Sequence, residues 1–137
     1  MDFKPHAGNK KEIDFYRQEL TTQQYIDELI KMSAMFHKFY YKDKLVAIAG
    51  VIPNYGYANY WQFLSEDFPD YIPMKFLKEY LVWGNQVLNN YDVTCNVFKE
   101  NRFAYWLIHH GKTKCNWKVH RVNNPCGSKF FIKKGGA

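Results

Sequence analysis

The chain has 137 residues, 47% of them hydrophobic and 19% aromatic, and a formal net charge of +6. That length fits a single domain, 1–137, with a sizeable core, and aromatics spread along the whole chain exclude a disordered one. No run of about 18 apolar residues occurs, so no membrane span is expected, and three cysteines without C-x-x-C spacing exclude a disulfide framework and a zinc ribbon.

Met1-Asp2-Phe3-Lys4-Pro5 has no apolar stretch of the signal-peptide kind, so a cytoplasmic protein is expected. Residues 1–11 are polar and predict a loose N-terminal segment. Ile13, Phe15 and Arg17 alternate with Asp14 and Tyr16, which predicts a strand over 12–18. Thr21-Thr22-Gln23-Gln24 has capping-box spacing, and Tyr25, Ile26, Leu29 and Ile30 follow at helical spacing. Met35 to Tyr41 is aromatic and β-prone. A turn at Tyr41–Lys44 leads into the β-branched run Leu45–Ile52, and turn chemistry at Pro53–Tyr57 leads into a strand at 59–64. Two consecutive hairpins are expected.

Pro73 fits the first turn of a helix, whose apolar face is Met74, Leu77, Leu81, Gly84 and Leu88. Val93–Phe98 predicts the next strand, parallel to the one before the helix, since a strand–helix–strand crossover favours that arrangement. Arg102 to His110 predicts a short helix that buries Phe103, Trp106 and Leu107 and stops at Gly111. Strands are expected at 112–122 and 129–133, joined by an Asn-Asn-Pro-Cys-Gly turn. Cys95 and Cys115 fall inside these apolar strand patterns, which suits buried reduced thiols.

Charge is unevenly spread. Residues 1–100 carry 11 Lys/Arg and 13 Asp/Glu, whereas residues 101–137 carry 8 Lys/Arg and no acid. A one-sided basic surface attracts phosphate, in nucleic acid or in a nucleotide, or an anionic protein. Lys112, Lys114, Lys118 and Arg121 are the candidate residues. Aromatics interleave with bases at Phe39–Lys42 and Trp117–Arg121, a texture suited to base stacking and equally to cross-strand packing. His109, His110 and His120 lack the i, i+4 spacing of a metal site, and no metal is expected. P-loop, Rossmann, G-x-S-x-G and H-E-x-x-H motifs are absent.

The order of these elements, with Leu45-Val46-Ala47-Ile48-Ala49-Gly50, Ser65-Glu66-Asp67 after the next strand, Tyr91-Asp92 ahead of another, and the Asn101–Gly111 helix, resembles the N-acyltransferase (GNAT) superfamily over nearly the whole chain. Within it, the texture is most similar to the small GNAT-like internal virion protein A family of short-tailed phages. The resemblance implies a mixed α/β fold, with a twisted sheet of six or seven strands, two splayed parallel strands and about three helices. It implies acetyl-coenzyme A as cofactor. The strand backbone at Gln62, Phe63, Leu64 and Ser65 would align the thioester, Lys75, Lys78 and Asn101 would assist binding, and Glu66 or Asp67 would act as base.

Two departures bear on that chemistry. The stretch Phe68–Lys75 stands where the family has a glycine-rich phosphate loop. It contains no glycine, Pro73 removes a donor, and Asp70 repels phosphate. The family's tyrosine acid, four residues before Gly111, is Leu107 here, and Tyr105 lies about 200° round the helix from that position.

Three functional readings follow. The first is a phage-type GNAT-like protein with a degenerate coenzyme A site, binding a phage structural or host protein in the host cytoplasm or the virion. The second is an active N-acetyltransferase acting on an amine of such a protein. The third is a nucleic-acid-binding module using the basic C-terminal third.

Overall fold

The computed structural model describes residues 3–135. Its elements run α1 (Ala7–Arg17), α2 (Thr22–Met32), β1 (Met35–Tyr41), β2 (Lys44–Ile52), β3 (Ala58–Leu64), α3 (Met74–Asn90), β4 (Val93–Phe98), α4 (Arg102–Lys114), β5 (Lys118–Asn124) and β6 (Gly127–Lys133). This is a mixed α/β chain with a six-stranded sheet in hydrogen-bonded order β1-β2-β3-β4-β6-β5. There are four helices among the described residues, one more than the sequence suggests. Two compact units are present, 1–52 with 60–69 and 53–59 with 70–137, and β3 contributes residues to both.

In the first unit, α1 replaces the expected strand at 12–18. The alternation of Ile13, Phe15 and Arg17 is misleading, because Phe15 is exposed. The positions that go inside are Asn9 and Ile13, four residues apart on one helical face, and a buried asparagine hides that period from a hydrophobicity reading. Of the N-terminal segment expected to be loose, residues 1 and 2 lie outside the described residues, and the described part from Phe3 onward makes specific contacts. Phe3 is buried, Pro5 bridges Ser65, and the Nδ1 of His6 caps α1 by accepting from the Gly8 N–H. For α2 the capping box forms as its spacing predicts: Thr21 Oγ1 accepts from the Gln24 N–H at 3.1 Å and Gln24 Oε1 from the Thr21 N–H at 2.9 Å.

Strands β1 and β2 form an antiparallel hairpin, and its two turn residues, Lys42 and Asp43, both have positive φ, 49° and 64°. The unit's core is Phe3, Ile13, Ile26, Leu29, Ile48, Trp61 and Phe63. Within it, the Trp61 Nε1–H donates to Ser33 Oγ, whose hydroxyl donates to the Leu29 carbonyl. The indole's one polar atom is thereby satisfied inside an apolar cluster.

In the second unit, α3 buries Phe76, Leu77, Tyr80, Leu81, Trp83, Val87 and Leu88. Met74 is exposed, and Pro73 is the N-cap, one residue earlier than its first-turn reading. Ala58 and Asn59 of β3 pair in parallel with Val93 and Thr94 of β4, as the crossover predicts. The last strand, β6, lies between β4 and β5 and is antiparallel to both.

Gly111 does not stop α4, which runs on to Lys114 and is capped at Cys115, with Asn116 at φ 58°. The strand expected from Lys112 therefore begins only at Lys118, and Cys115 sits at a helix end rather than in a strand. The reason is steric. The Trp117 ring lies where Cβ atoms on Gly84 of α3 and Gly111 of α4 would be, and its Nε1–H donates to Asn85 Oδ1 at 2.8 Å. Glycine is needed there for close approach, and the helix continues through it.

Candidate functional site

The β3 terminus carries most of the residues proposed for acyl transfer. Gln62, Phe63, Leu64 and Ser65 are all buried. Backbone groups alternate along a strand. The Ser65 N–H donates to the Val46 carbonyl of β2 at 2.8 Å, whereas the Ala58 N–H points to the opposite edge and donates to the Asp92 carbonyl at 2.8 Å. Even-numbered residues of β3 thus present their backbone to the edge that β4 uses at its start.

Further along that edge the chain's own N-terminal segment takes over. The Leu64 N–H donates to Asn9 Oδ1, the His6 N–H donates to the Leu64 carbonyl at 2.9 Å, and the Glu66 N–H donates to the Lys4 carbonyl at 2.8 Å. Asn9 is fully buried, 0% exposed, which places its carboxamide as a fixed internal acceptor. The side chain of Gln62 is engaged as well, its Oε1 accepting from the Tyr60 hydroxyl.

Glu66 and Asp67 follow β3 in an exposed turn. Asp67 forms an exposed ion pair with Lys44 at 3.8 Å, and its N–H donates to Ser65 Oγ at 3.2 Å. The Ser65 hydroxyl itself donates to the Leu45 carbonyl. These contacts brace a turn in water, where an ion pair contributes at most about 1 kcal/mol.

In the second unit, Lys75 and Lys78 are exposed on the first turns of α3, three residues apart and so on one side. Asn101 is buried and is the N-cap of α4, its Oδ1 accepting from the Ala104 N–H at 3.2 Å. That bond meets the helix's need and is sufficient reason for the residue. Tyr105 also has a structural role: its hydroxyl contacts the Val97 carbonyl and Ser128 Oγ. Leu107 is buried.

The basic candidates separate. Lys112 and Lys114 are exposed on the last turn of α4, where cations suit the helix dipole. Lys118 and Arg121 are three apart in β5 and therefore face opposite sides of the sheet. The Arg121 guanidinium lies over the Tyr105 and Phe130 rings at 5.0 and 5.7 Å and donates to Ser128 Oγ and Asn123 Oδ1. Lys118 stands on the other face, where it meets two lysines that the sequence reading passed over. It pairs with Lys133 across the strands, and Lys129 pairs with Val122 on the same side. The signal for them was available: a turn at Asn124–Gly127 sets every partner in β5 and β6.

Among the described residues, no group of three or more His, Cys, Asp or Glu is placed to hold a metal ion, and no helix is long and apolar enough to cross a membrane. Comparison with protein-family models, curated proteins and solved structures finds no match to this chain.

Proposed function

We propose that the chain is a GNAT-like protein of the phage internal virion protein type, with a degenerate coenzyme A site, that acts by binding a protein partner in virion assembly or against a host factor. The observation that carries this reading is the engaged edge of β3. The strand backbone that the resemblance assigns to the thioester is hydrogen-bonded at Leu64 by His6 and Asn9, and the next group along, at Glu66, by Lys4. The GNAT part is supported by the mixed sheet and by the short parallel β3–β4 ladder, which pairs Ala58 with Val93 and Asn59 with Thr94. A ladder that short suits two strands that diverge. The loop before α3, with Asp70 and Pro73 and no glycine, supports the loss of phosphate binding.

Thermal unfolding with and without millimolar acetyl-coenzyme A tests the reading. No shift and no acetylation of amines are expected. Ligand at a hundred times its Kd would add about 2.7 kcal/mol to stability. A shift of several degrees would overturn the degenerate-site reading in favour of a working N-acetyltransferase, and its loss in Lys75→Glu would then assign the phosphates to α3.

A further inference from the structure

We infer that the open face of the β5–β6 hairpin is a binding site for single-stranded nucleic acid, formed by Lys118, Lys129 and Lys133 around the rings of Tyr57, His120 and Phe131. All six belong to the second unit. The cross-strand register sets them on one side: Lys118 opposite Lys133, His120 opposite Phe131, and Val122 opposite Lys129. The rings form a row. Phe131 meets Tyr57 at 5.1 Å and His120 at 6.0 Å between centroids. Lys133 lies above Tyr57 at one end of the row at 5.6 Å, and Lys129 above Phe131 in its middle at 5.4 Å. Those two lysines are four residues apart in one strand, about 13 Å.

Three features point to a ligand and to its class. First, β5 is exposed at every position but Val119, which is half-buried, and across the hairpin Lys133 is exposed while Lys129 and Phe131 are half-buried. Second, Lys118 and Lys133 stand directly opposite each other, an arrangement of like charges that weakens a hairpin. A local conflict of this kind is expected where function takes precedence over stability. Third, the charge is unbalanced. Residues 101–137 carry no acid, and Asp92, exposed just before β4, is the carboxylate that the register brings nearest, beside the Lys133 end. Lysines supply attraction for phosphates, and the rings, Tyr57 edge-on to Phe131 and His120 tilted against it, supply faces for stacking unpaired bases. A membrane surface is disfavoured, because Val122 is the one aliphatic side chain that β5 places on this face. This inference does not depend on the fate of the acyl-transfer site.

The test is fluorescence anisotropy of the full chain with a fluorescein-labelled twelve-nucleotide oligo-dT at 50–200 mM NaCl. Three phosphate contacts give a slope of log K against log salt near −2, about a twenty-fold loss across that range. Lys118→Gln/Lys129→Gln/Lys133→Gln should abolish the salt-dependent part, whereas Lys112→Gln/Lys114→Gln, which removes charge from α4, should leave most of it. His120→Ala should weaken binding about five-fold or more through lost stacking, with an unchanged melting temperature as the control for folding. Asp92→Asn should tighten binding. The inference is overturned by absence of binding at 50 mM salt, by equal loss in the α4 double variant, or by tighter binding of a duplex. Equal competition from poly-glutamate or from phosphatidylglycerol vesicles would overturn it too, since either would mean that charge alone is read.

Discussion

Gly111→Ala examines why a glycine stands inside α4. In an open helix interior this change stabilises by about 0.5–1 kcal/mol, because alanine has less backbone freedom to lose. Here the added methyl would overlap the Cε3, Cζ3 and Cδ2 atoms of Trp117. The ring has no room to retreat. Its far side lies against Gly84, where a Cβ would already sit 2.6 Å from Cη2 and Cζ2, and its Nε1–H is held by Asn85. Overpacking of this kind costs about 1–3 kcal/mol, so the overlap outweighs the helix gain and a net loss of about 1–2 kcal/mol is expected. Urea unfolding of Gly111→Ala, Trp117→Leu and the double variant decides the matter. With the indole gone, Gly111→Ala should become stabilising by up to about 1 kcal/mol, which makes the two changes strongly coupled. If Gly111 served as a helix stop, alanine would be equally harmful in both backgrounds. Additivity within about 0.5 kcal/mol would therefore refute the close-approach account.

Three further outcomes are expected. Lys42→Asn with Asp43→Gly should stabilise the β1–β2 hairpin by about 1 kcal/mol, because both residues have positive φ and Asn-Gly suits such a turn; an unchanged urea midpoint would mean that neighbouring contacts offset the turn. Asn9→Ala should cost about 1–3 kcal/mol, since it leaves the buried Leu64 N–H without its acceptor, and stability within 0.5 kcal/mol of the parent, roughly the scatter of surface substitutions, would count against the clamp. His110 is held below its ordinary imidazole range by partial burial and by Lys114 and His109 beside it. The folded state therefore binds fewer protons at this site than the unfolded chain, and its contribution to stability falls as pH drops below about 6.5. The fall in melting temperature between pH 7.5 and pH 5 should shrink in His110→Gln, and an equal or larger fall in that variant would contradict the shift.

What was legible in the sequence were the elements that rest on local chemistry. The capping box of α2, the β-branched run of β2 and the parallel β3–α3–β4 crossover each announce themselves within one stretch of chain. Two expectations failed where the deciding partner lies outside the element. Asn9 looks like a loop residue until Leu64, fifty-five positions away, supplies the N–H that it accepts. Gly111 looks like a helix terminator until Trp117 is seen filling the space beside it. The basic face was half legible. The charge imbalance is plain in the sequence, yet assigning Arg121 to the same surface as Lys118 ignored the two-residue period of a strand. Lys129 and Lys133 needed the hairpin register, which the Asn124–Gly127 turn already implied.

The engaged edge of β3 also sets a quantitative bar for any ligand that needs it. Clearing the edge means breaking three hydrogen bonds, at Leu64 N–H, Leu64 carbonyl and Glu66 N–H, and withdrawing Phe3 from the core. Each bond is worth about 0.5–1.5 kcal/mol net, and burial of a phenylalanine about 1.5–3 kcal/mol, so opening costs roughly 3–7 kcal/mol. A ligand that binds only the open form loses that much, about 10²- to 10⁵-fold in apparent affinity. An acyl-coenzyme A site with micromolar intrinsic affinity would then respond only at about 0.1 mM or above. The same energy should appear without any ligand, as protection of the Leu64 and Glu66 amides from hydrogen exchange by about 10²- to 10⁵-fold. Amides there that exchange within ten-fold of unstructured rates would mean that the edge stands open, and the case for a degenerate site would lose its main support.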